Sequence, residues 1–151
     1  MKASLLYRIA SVLLLLFAIG HTLGFRQTDP AWGVGSLIDL MRSIHFDAQG
    51  FSRTYWDFFS AFGFFLSVFL LFAAFLAWQL GGLPAEIFAR MRPTAWALAI
   101  SFLAVTALSF KYAFTTPIIL SAMIAICLIA AAWLSVAPQD QQPTAVPIHR
   151  L

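Results

Sequence analysis

Residues 55–78, YWDFFSAFGFFLSVFLLFAAFLAW, decide the fold. Asp57 is the only charged residue in this stretch, and as an α-helix it would run about 36 Å, more than the ~30 Å of a bilayer's hydrocarbon core. No face of such a helix is polar enough to meet water, so the surroundings must be lipid or other apolar helices.

Outward from this run lie three more of similar character, at about 5–24, 94–111 and 117–136, that at 94–111 being the shortest. Together they make 62% of the 151 residues hydrophobic and leave 10% charged, against about a quarter charged in soluble domains. The expected fold is all-α: an integral membrane antiparallel four-helix bundle with spans at about 5–24, 55–79, 94–111 and 117–136. Lys2 and Arg8 precede Leu13–Phe17 as in a signal peptide, but no small-x-small cleavage pattern follows, so the first run is read as a retained span. Residues 137–151, with Pro138, Pro143 and Pro147, are expected to be disordered, and His149 among them inert.

Even helix number puts both termini on one side. Placing them inside gives Lys2, Arg8, Arg90, Arg92 and Arg150 to the cytoplasm and Arg26, Arg42, Arg53 and Lys111 to the outside, a lean toward cytoplasmic termini. Scattered in this way, the net charge of +3 does not point to nucleic acid. The single cysteine, Cys127, lies in the fourth run and excludes an intramolecular disulfide.

The loop 25–54 has turn signals at Asp29-Pro30 and Gly33-Val34-Gly35. After them Ser36 can cap a helix with Asp39 three residues on, and Leu37, Leu40, Met41 and Ile44 fall on one face, which predicts an interfacial helix at about 36–46. In the second span Phe58, Phe62, Phe65, Phe69 and Phe72 share one side, expected to face lipid or another subunit. Asp57, Ser60, Phe64, Ser67, Leu71 and Ala74 share the other, expected to face inward. Thr116, as N-cap, and Pro117 mark the start of the fourth span.

Topology gathers His21, Arg53, Tyr55, Trp56, Asp57, Lys111, Tyr112, Thr115 and Thr116 at one end of the bundle, where ionisable groups are costly and therefore informative. His21 stands between Gly20 and Gly24, whose spacing lets a neighbouring helix approach closely. An imidazole there needs a partner, and Asp57 is the natural one: a His21–Asp57 pair would be a candidate catalytic dyad. Asp57 also has an ordinary explanation, since Thr54 and Asp57 form a capping box. Lys111 likewise suits a helix C-terminus. His21, His45, Asp47 and Asp57 together offer a weaker alternative, a zinc or iron site; a haem ranks lower still. Phosphate loops, hydrolase motifs and Cys-x-x-Cys pairs are absent from the sequence, and Glu86 is its only glutamate.

Gly20-His21-Thr22-Leu23-Gly24-Phe25 and Arg53-Thr54-Tyr55-Trp56-Asp57-Phe58-Phe59 resemble strings in a group of small bacterial four-span membrane proteins, over roughly the first half of the chain. That resemblance implies a bacterial inner-membrane location and draws attention to His21, Tyr55, Trp56 and Asp57, but it implies no reaction. In overall plan the chain also looks like DoxX-type four-helix membrane proteins, some of them associated with quinone-linked oxidation.

The expected role is to bind a small lipophilic molecule, quinone-, sterol- or isoprenoid-like, with His21 and Asp57 at its polar end. Arg53, Tyr55 and Trp56 would form the entrance, Tyr112 part of the binding surface and Lys111 a counter-charge. The alternatives are an accessory subunit of a larger membrane complex and a small enzyme using the His–Asp pair. Expected partners are membrane lipid and a homo-oligomer or larger complex; the cofactor is unknown.

Overall fold

The structure, a computed structural model, describes residues 2–135. The tail at 137–151 and the last residue of the fourth expected span lie outside them. In chain order the elements are α1 (Lys2–Gly24), a 3-10 turn (Pro30–Trp32), α2 (Gly35–Ser43), β1 (His45–Ala48), β2 (Phe51–Thr54), α3 (Tyr55–Gly82), α4 (Ala85–Tyr112) and α5 (Thr115–Leu134). The fold is an all-α four-helix bundle, and α1, α3, α4 and α5 are each long and apolar enough to cross a membrane. At 28 residues apiece, α3 and α4 are longer than a ~30 Å hydrocarbon core, so in a bilayer they would tilt or protrude.

The start of α3 follows its local sequence closely. Thr54 Oγ1 accepts from Asp57 N at 3.2 Å, and Asp57 Oδ2 accepts from Thr54 N at 2.8 Å, which closes the capping box. Elsewhere the boundaries depart from expectation. α4 begins at Ala85, about nine residues before the expected third span, and runs through Pro93. Its added first turns are held because Phe88, 7% exposed, packs on the ring of Tyr7 with centroids 5.9 Å apart. Pro93 removes one backbone donor, which a packed membrane helix tolerates. Ser36 does not cap α2; Val34 stands at the cap position without a side-chain bond. At α5 Thr115 is already helical, and Phe114 rather than Thr116 precedes the first turn.

The expected interfacial helix ends at Ser43, and the chain then forms a two-stranded antiparallel hairpin pairing His45 with Thr54 and Ala48 with Phe51. Gln49 and Gly50, with φ 57° and 86°, make the left-handed two-residue turn that suits a hairpin's twist. Asp47 Oδ1 fastens it by accepting from Gly50 N at 2.8 Å.

The bundle packs in the spatial order α3, α1, α5, α4. Small residues set its core: Ala10, Ala77, Ala99 and Ala131 are fully buried beside Leu14, Ile124 and Leu128, so backbones approach closely. Hydrogen bonds join α1 to α3 in one register. Ser4 Oγ donates to Gly81 O, Ser11 Oγ donates to Ala74 O at 2.8 Å, and Thr22 Oγ1 lies 2.8 Å from Ser67 Oγ. Numbers rise along α1 as they fall along α3, so these two helices run in opposite directions. α3 and α4, linked only by Leu83 and Pro84, make few contacts along their length.

Candidate functional site

The sparse α3–α4 contact leaves a cavity of about 910 Å³ walled by all four long helices. Phe17, Phe69, Leu70, Ala73, Leu98, Phe102 and Val105 make its body. Gln27 and Trp32, from the loop after α1, lie over one end together with Tyr112 and Thr116. That end, marked by the loop between α1 and α3, is the loop end below. Gly20 and Gly24 also line the cavity, and a side chain at either would meet no atom within 4 Å. They open space for the cavity, then, and do not serve the close helix approach expected of them.

His21 is the polar centre of this wall. It is half-buried in the last turns of α1, and its Nε2 lies 3.1 Å from Gly63 O on α3. A carbonyl oxygen can only accept, so Nε2 carries the proton and donates. The same carbonyl accepts from Ser67 Oγ at 3.2 Å. Thr22 Oγ1, 2.6 Å from Ala18 O and 2.8 Å from Ser67 Oγ, extends the network across α1. One face of the imidazole is covered by Phe25, with ring centroids 5.1 Å apart and planes 15° from parallel. Phe25 in turn meets Phe64 edge-on at 5.2 Å and Phe59 at 6.0 Å. Gly63 makes this arrangement possible, because a methyl group there would overlap the Phe25 ring.

Asp57 is not part of the site. Its carboxylate is exposed and occupied by Thr54, whose hydroxyl also donates to Oδ2 at 3.0 Å. His21 bonds six residues farther along α3, about 9 Å along the helix axis. The expected His21–Asp57 pair is therefore not formed; the capping box and the Gly63 carbonyl take the two groups separately.

Arg53, Tyr55 and Trp56 do not line the cavity either. Arg53 donates to Ser52 O at 2.9 Å, Tyr55 packs on Phe46 at 5.1 Å between centroids, and Arg42 covers the Trp56 ring at 4.2 Å. Tyr55 and Trp56 thus fasten the hairpin and α2 to the start of α3, while Arg53 stays within its own strand. Lys111 lies 5.0 Å from the Tyr112 ring and outside the cavity wall, so it supplies no counter-charge within it. Of the expected site residues, His21 and Tyr112 reach the cavity.

Among the described residues no three histidine, cysteine, aspartate or glutamate side chains gather in a metal-holding group. His45 Nδ1 donates to Ser43 O at 3.0 Å and Asp47 Oδ1 is spent on its turn, so these two members of the alternative metal set are engaged locally.

The α3 faces divide as expected in part. Phe62, Phe65, Phe69 and Phe72 are more than half exposed, and Ser67 and Ala74 are buried. Phe64 and Leu71, expected inside, are exposed at 42% and 48%. The inward stripe instead runs through the buried Ser67, Leu70, Ala74 and Ala77, of which Ser67 and Ala74 bond to α1 and Leu70 lines the cavity. Of the apolar face expected at 36–46, Leu37, Leu40 and Ile44, the residue that caps α2, are each at least half exposed, while Met41 is half-buried.

No protein-family model matches the chain, nor does any curated protein or solved structure.

Proposed function

We propose that this chain is a membrane protein that binds one small lipophilic molecule in the cavity between α3 and α4, with His21 at the polar end. The observation that carries the reading is the cavity itself. Its volume of about 910 Å³ lies at the upper end of ordinary ligand sites, and its wall is aromatic and aliphatic, with most of its few polar groups toward the loop end and Ser101 near the other. Quinone-, sterol- and isoprenoid-like compounds fit that description. The likeness in plan to DoxX-type proteins keeps a quinone among them.

In the same reading the chain lies in a bacterial inner membrane, as the resemblance implies, with both termini cytoplasmic and the loop end outside, in line with the lean of its basic residues. In that setting α2 would rest on the membrane surface with Leu37, Leu40 and Ile44 toward the acyl chains.

A membrane enzyme built on a His21–Asp57 dyad loses its support, because each group is engaged elsewhere. An accessory subunit remains the second reading, favoured by the exposed row Phe62, Phe65, Phe69 and Phe72, which a partner could cover in place of lipid.

The test is native mass spectrometry with lipid extraction on mildly solubilised protein, comparing wild type with Gly20→Leu. The leucine would enter open space inside the cavity, and it favours the helix by up to about 1 kcal/mol over glycine. Wild type is expected to carry one defined lipophilic molecule that the variant lacks. Identical bulk lipid on both would rule the reading out, and a stoichiometric partner protein on both would put the accessory subunit first.

A further inference from the structure

The cavity wall restricts which lipophilic molecule suits it, provided that the cavity is the ligand site proposed above. Because Nε2 of His21 donates to Gly63 O at 3.1 Å, the neutral imidazole presents Nδ1 as a lone-pair acceptor. Nδ1 takes no hydrogen bond among the described residues and is not one of their fully buried, unpartnered polar atoms, which are Tyr7 Oη and Ser60 Oγ. It therefore keeps exposed surface, on a side chain that lines the cavity. A group that donates a hydrogen bond would match it; a quinone or ketone oxygen would not.

Charge narrows the class further. Among the described residues no lysine, arginine, aspartate or glutamate lines the cavity. Arg26 is turned onto the Phe64 ring, 5.4 Å away, and Lys111 onto that of Tyr112. A phosphate or carboxylate drawn into this wall would lose its hydration with no cation side chain in return. A neutral hydroxyl incurs no such cost.

The body of the ligand follows from the shape. The wall runs from Phe59 to Ala73 on α3 and from Tyr112 to Leu98 on α4, about 21 Å of axis on each. Leu66 and Phe69, which line it, are also 42% and 67% exposed. The long side of the cavity therefore opens between α3 and α4 toward the surrounding bilayer.

We propose that the occupant is a neutral lipid with a hydroxyl at one end of a long apolar body, which enters sideways between α3 and α4 and donates that hydroxyl to Nδ1 of His21. Isoprenoid alcohols, sterols and reduced quinones share this chemistry. Which of them is bound depends on the body, so the test uses matched pairs.

The full-length protein in phosphatidylcholine nanodiscs is titrated with geranylgeraniol against its methyl ether, cholesterol against its methyl ether, a long-chain benzoquinol against its quinone, and palmitate alone. Bound fractions are read by native mass spectrometry. In at least one pair the hydroxyl form is expected to bind about tenfold tighter than its partner, and that pair names the source. His21→Ala is expected to narrow the gap to within about twofold, and Gly20→Leu to weaken both members. Equal binding within every pair, with Gly20→Leu still weakening it, would overturn the hydroxyl assignment and leave the cavity reading standing. Palmitate as the tightest probe would overturn the neutral head. Binding that Gly20→Leu never changes would overturn both readings. Should His21→Ala fail to fold, the pair comparison on wild type decides by itself.

Discussion

Two helix contacts of α3 differ in kind. Against α1 it is sewn along its length: Ser4 to Gly81, Ser11 to Ala74, Thr22 to Ser67 and His21 to Gly63. Against α4, its neighbour in sequence, it makes few contacts and leaves the cavity. In lipid an apolar surface gains little by meeting another, so helices associate where small residues and interhelical hydrogen bonds allow it. α3 carries both toward α1, in Gly63, Ser67, Ala74 and Gly81. Toward α4 it presents Leu66, Phe69 and Leu70, which have no polar partner there and leave room for a third, apolar body.

The sharpest way to break the sewn side is Gly63→Leu. The new side chain would collide with Phe25 and pull its ring off His21, and overpacking of this kind costs about 1–3 kcal/mol or more. The loss is read as a lower midpoint in thermal or denaturant unfolding in detergent, and ligand should go with it. Unchanged stability would mean that Phe25 does not pack there.

Asp57→Ala comes next. Loss of the capping box should lower the unfolding midpoint measurably with lipid binding kept, because the carboxylate stands outside the cavity wall. Binding lost at unchanged stability would restore Asp57 as a site residue. A smaller effect is expected of Ser11→Ala, which removes one buried bond to Ala74 O at about 0.6 kcal/mol. A loss several times larger would mean that the α1–α3 stitches act as one unit.

What the sequence made legible were the features that repeat along it or sit within a few residues of each other. The four apolar runs, the Thr54–Asp57 capping box and the exposed phenylalanine side of α3 follow from period and neighbours alone. The site needed distances across helices. His21 was visible as an imidazole in want of a partner, but its acceptor is a backbone carbonyl, which no residue type announces. Gly63 did leave a trace, as a lone glycine in Phe-Gly-Phe-Phe within an otherwise bulky helix, and that is the mark of a close approach. Gly20 and Gly24 bear the same mark and mean the reverse, since only the fold tells a glycine that admits a neighbour from one that leaves a void. The hairpin at 45–54 was hidden because its turn, Gln49-Gly50, lacks the usual asparagine or aspartate at the first position.

The central claim, one closed side of α3 and one open, is tested most directly by photolabelling in nanodiscs with a diazirine-bearing isoprenoid alcohol, mapping adducts by peptide mass spectrometry with and without excess unlabelled alcohol. Adducts on Phe17, Leu70 and Phe102 that saturate and are competed away are the expected result. Adducts confined to Phe62, Phe65 and Phe72 and indifferent to competitor would contradict it, and would make the space between α3 and α4 a gap in the packing with no occupant.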